Sequence, residues 1–70
     1  MKKAHKYKLF VKWSSGDDWN ITILSVNTEV ITSWLPRQET SEKHIIECKI
    51  TLIERDAEDV KENFLAKGID

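Results

Sequence analysis

Tyr7-Lys8-Leu9-Phe10-Val11-Lys12-Trp13 alternates apolar and polar residues almost perfectly, broken only at Phe10, and Ile46-Glu47-Cys48-Lys49-Ile50-Thr51-Leu52 repeats the two-residue beat. Successive side chains of a strand point to opposite faces, so both stretches describe a sheet with one packed face. Ser14-Ser15-Gly16-Asp17-Asp18 is a dense turn cluster. Behind it, Trp19 to Val26 carries β-branched Ile21, Thr22, Ile23 and Val26, and the two runs predict a hairpin. A further strand is expected over residues 44–54.

Glu29-Val30-Ile31-Thr32-Ser33-Trp34-Leu35 fits two readings. Its β-branched content favours a strand. Val30, Ile31, Trp34 and Leu35 also share one helical face behind Thr28 as a cap. The strand is preferred, ended by Pro36, which restricts Leu35 to an extended backbone. From Asp56 onward the pattern predicts a C-terminal helix. Acids crowd its first turn, Asp56 and Asp59 resemble a capping box, Ala57, Val60, Phe64 and Leu65 form a stripe, and Gly68 supplies the stop. The expected fold is α+β: a four-stranded antiparallel β-meander with one C-terminal α-helix packed on one face. The alternative has three strands and a short helix at about 28–35.

Seventy residues predict a single domain spanning 1–70, with residues 1–5 as a mobile basic tail. A chain this short buries only about 60 % of its unfolded surface, which leaves little material to line a deep substrate cleft. One cysteine, Cys48, permits neither an internal disulfide nor metal-finger spacing and points to a reducing cytoplasm. The basic start lacks the apolar stretch of a signal peptide, and no segment approaches the roughly 20 apolar residues of a membrane span. The formal charge is −1, but five lysines precede the first acid, Asp17, whereas acids dominate beyond Glu54. One basic edge and one acidic helix are therefore expected.

No spacing assembles a nucleophile with its base, and no glycine-rich phosphate cradle is present, so the chain reads as a non-enzyme without cofactor or metal. Asp17 and Asp18 make a turn rather than a calcium loop. His44 and Cys48 lie about 13 Å apart on an extended strand, too far to share a metal. Cys48 follows the inward phase and reads as a buried, inert thiol.

In this register the covered face takes Tyr7, Leu9, Val11, Trp13, Ile21, Ile23, Ile46, Cys48, Ile50 and Leu52. Phe10, Leu24, Ile45 and Ile53 fall on the opposite face among Lys8, Lys12, Glu47 and Lys49. Contiguous exposed apolar area marks an interface. The expected function is accordingly a small intracellular protein-binding module (an inhibitor, adaptor or regulator) that works by occluding a surface. Its partner is another protein or a second copy, with no membrane and no small-molecule substrate. Of the three tryptophans, Trp34, beside Pro36, best extends the patch. The alternative is a weak nucleic-acid binder using the basic edge at Lys2, Lys3 and Lys6.

Overall fold

The computed structural model describes residues 2–61 and 65–67. Its elements are β1 (Lys2–Trp13), β2 (Asp18–Ser25), α1 (Thr28–Trp34) running into a 3-10 turn (Leu35–Gln38), β3 (Ile45–Val60) and β4 (Leu65–Lys67). The four strands form one antiparallel sheet in the order β3-β1-β2-β4. The α+β class and the antiparallel sheet match the sequence pattern. The meander does not, because β3 returns beside β1 and places β1 inside the sheet.

The hairpin of β1 and β2 is the predicted one. Gly16 turns the chain at φ +98°, a conformation open to glycine because it has no Cβ. The amides of Trp13 and Gly16 donate to the Asp17 and Trp13 carbonyls at 2.9 and 3.1 Å. Tyr7, Leu9 and Val11 stand opposite Ile23, Ile21 and Trp19. Trp13 meets Trp19 diagonally across the ladder, with ring centroids 4.9 Å apart. Lys43 Nζ lies 4.6 Å above the Trp13 ring, a cation-π contact.

Residues 28–34 form a helix, not the preferred strand. Asn27 Oδ1 accepts from the Val30 amide at 2.9 Å, so Asn27, and not Thr28, is the cap. That cap, with the shared face of Val30, Ile31, Trp34 and Leu35, outweighs β-branched propensity, which is a weak preference. Leu35 is helical at φ −55° and ψ −47°. Pro36 sits at the start of the 3-10 turn, where a missing amide hydrogen costs nothing. Ile31 and Leu35 complete a core with Tyr7, Leu9, Val11, Trp13 and Ile23.

The predicted C-terminal helix is absent over residues 56–60, which prolong β3, while 65–67 form β4; Phe64 and Gly68 lie outside the described residues. Of the acids read as helix starters, Asp56 meets His5, Glu58 stands opposite Ala4, and Asp59 faces a lysine. Lys3 stands opposite Asp59 and binds it at 2.7 Å. Residues 2–5 belong to β1 rather than to a mobile tail. Ala4, Leu24, Val26 and Val60 form a second buried cluster, with Val30, Ala57 and Ala66 packed against it.

Candidate functional site

Strand β3 is the outermost strand on its side of the sheet, and among the described residues no strand lies beyond it. Its pairing with β1 shifts register at three places: between Trp13 and Lys12, between Tyr7 and Lys6, and between Lys6 and Ala4. Each shift leaves extra residues on β3, at Ile46, at Ile53 and over Arg55 to Ala57. Bulges of this kind bend an edge away from unwanted pairing. Between them, residues 47–52 run in regular register with β1.

The bulge at Ile46 reverses two side-chain assignments. Ile45, not Ile46, stands opposite Trp13 and packs half-buried against the core. Ile46 is 62 % exposed. A one-residue slip exchanges faces because side chains alternate with period two. The proposed strip on the helix-free face therefore breaks up. Leu24 is buried in the second cluster at 3 % exposure, because Val26, Ala4 and Ala66 gather around it. Ile45 belongs to the core, Phe10 is half-buried, and Ile53, 52 % exposed, sits at a bulge. Lys8, Lys12, Glu47 and Lys49 are exposed as expected. Trp34 is half-buried, packed against the core with its ring centroid 6.2 Å from that of Trp19.

The helix-bearing face is not fully roofed. Helix α1 has seven residues, about 10 Å of length, and lies closest to β2. On the β3 side of that face, Cys48, Ile50 and Leu52 stand opposite Val11, Leu9 and Tyr7. Ile50 is half-buried, but Leu52 and Cys48 are exposed. The expectation of a buried Cys48 fails because the roof does not reach it. Partial burial still raises the thiol pKa above its ordinary value. Sequence reasoning thus missed Ile46, Cys48 and Leu52. The reason is placement: α1 lies against β2, and β3 is two strands away, about 9.6 Å at ~4.8 Å per strand, beyond the half-width of a helix about 10–12 Å across.

The basic edge is interleaved with acids. Lys3 pairs with Asp59, whose hydrogen bond and charge raise the Lys3 pKa. Lys6 stands opposite Glu54, and Lys12 between Asp18 and Glu47. Lys2 stands opposite Val60. Three of the five β1 lysines, Lys3, Lys6 and Lys12, thus stand opposite acids, and Lys2 and Lys8 do not.

A half-open cleft of about 420 Å³ is lined by Val30, Ser33, Trp34, Arg37 and Leu65. Among the described residues its lining holds no carboxylate, imidazole or thiol. Among the described residues no three His, Cys, Asp or Glu side chains group as metal ligands. No helix among them is long and apolar enough to cross a membrane. No family model, curated protein or solved structure matches the chain.

Proposed function

We propose that this chain is a small, non-catalytic protein-binding module, an inhibitor, adaptor or regulator, that works by occupying a partner's surface. Its contact element is the β3 edge rather than the helix-free face. One observation carries this reading: among the described residues the exposed large apolar side chains are Ile46, Leu52 and Ile53, and all three belong to that one edge strand. Main-chain groups on an open edge accept an added strand, while the flanking side chains select it. Glu47 and Lys49 supply a polar border to the apolar contacts. An exposed, unpaired Cys48 fits a reducing cytoplasmic setting.

The test is capture of partners from native cell extract by the wild-type chain and by the Ile46→Glu/Leu52→Glu variant. Both positions are exposed, so melting temperature should change by only a few degrees while captured proteins are lost. Undiminished capture by a folded variant refutes the assignment.

A further inference from the structure

Glu47-Cys48-Lys49, in the regular part of β3, is complementary to itself when run antiparallel. Centred on Cys48, such a pairing sets glutamate beside lysine twice and cysteine beside cysteine. We propose that two copies of the chain associate through their β3 edges, antiparallel, about a two-fold axis at Cys48, which joins two four-stranded sheets into one. The proposal rests on the reading of β3 as the docking edge and names its occupant as a second copy.

Symmetry and charge together select the register. A two-fold axis normal to the sheet keeps both helix-bearing faces on one side. It therefore requires paired residues to share a face, so the axis passes through a residue, not between two. Centring on Lys49 stacks Lys49 on its own copy, and centring on Glu47 does the same with glutamates. Like charges directly opposite destabilise a ladder. Centring on Ile50 sets Lys49 against Thr51 and Glu47 against Ile53, with no charge matched. Centring on Cys48 alone gives two Glu47–Lys49 pairs across the interface. Within one protomer Lys49 Nζ already lies 3.6 Å from Glu47, so association assembles four charges of alternating sign.

The paired segment is bounded by the bulge at Ile46, so Ile46, the most exposed of the large apolar residues, flanks the ladder at each end. Its regular part, residues 47–49 of each copy, spans about 10 Å at ~3.4 Å each. A ladder this short falls at the low end of interface sizes. The association is accordingly weak and concentration-dependent.

Sedimentation of the full chain from micromolar to millimolar concentration should show a reversible monomer–dimer equilibrium. Glu47→Lys and Lys49→Glu should each weaken it by about tenfold or more, because each converts two attractive contacts into repulsive ones. Glu47→Lys combined with Lys49→Glu should restore it. A short-armed bis-maleimide should link the native Cys48 thiols into covalent dimers in the wild type and the double variant only. Since Cys48 is wild-type, that readout stands even where a single variant fails to fold. A strict monomer at millimolar concentration overturns the proposal; if Ile46→Glu/Leu52→Glu still abolishes partner capture, the docking edge survives without it. Dimers indifferent to both the charge reversals and Ile46→Glu/Leu52→Glu overturn the dimer register and the docking edge together.

Discussion

His5 and Asp56, 51 positions apart, are joined by a hydrogen bond in which the Asp56 amide donates to His5 Nδ1 at 2.9 Å. Asp56 has φ +54°, inside the left-handed region that disfavours side chains with a Cβ and is tolerated best by glycine, Asn and Asp. The bond fixes the wide bulge where β3 departs from regular pairing with β1. Asp56→Gly keeps the donating amide and relieves the backbone, so stability should stay level or rise slightly. Asp56→Val should lose about 1–2 kcal/mol, since a β-branched residue is poorest in this conformation. Urea unfolding of the two variants checks the contrast.

Helix α1 is too short to persist alone and depends on its cap and its buried face. Asn27→Ala removes the acceptor for the Val30 amide and should cost about 1 kcal/mol, while Asn27→Asp or Asn27→Ser should keep most of it. Ile31→Ala empties a fully buried site and should cost about 2–5 kcal/mol. Thermal melts of the four variants rank these effects.

Stability should fall in base. Tyr7 is buried, and burial raises its pKa, opposed in part by the charge of Arg55. The unfolded chain gives up the tyrosine proton near pH 10, before the folded chain does. Stability is therefore unaffected below that pH and declines as pH rises through and beyond it. Lys3 acts in the same direction: the Asp59 hydrogen bond and charge raise its pKa, and their contribution disappears as the ammonium deprotonates. Melting temperature should drop as pH rises above about 10, and the drop should be smaller for Tyr7→Phe, which has no phenol to ionise.

The phase of β1 was legible because the seven residues from Tyr7 alternate with the single exception of Phe10 and the turn beyond Trp13 is rich in turn formers. The packing of Ile45 and Ile46 was not, because one extra residue in β3 exchanges their faces and periodicity carries no mark of a bulge. The acidic run beyond Glu54 looked like a helix start because local capping rules see only neighbours. Asp59 instead meets Lys3, 56 positions away, and the opposite charges of the two segments, visible in the sequence, were the cue to that pairing. At residues 28–35 both readings were visible, and Asn27, one residue ahead of the assumed cap, decided between them. The candidate site suffered most. Leu24 and Ile45 were assigned to a surface by alternation alone, whereas exposure depends on how far a two-turn helix and a short fourth strand reach.

Leu24 and Ile46 give the sharpest contrast between those assignments. At 3 % exposure Leu24 lies among Ala4, Val26 and Val60, so Leu24→Ala removes apolar atoms from a closed cluster. That loss should cost about 2–5 kcal/mol, which in a domain of this size lowers the melting temperature by roughly 10 °C or more. Ile46 is mostly in solvent, and Ile46→Ala should shift stability by no more than about 0.5 kcal/mol. Denaturant titration of both variants at low micromolar concentration, where an edge-paired dimer is dissociated, separates them. Equal and small losses would return Leu24 to the surface, and a large loss at Ile46 would move the bulge off that residue.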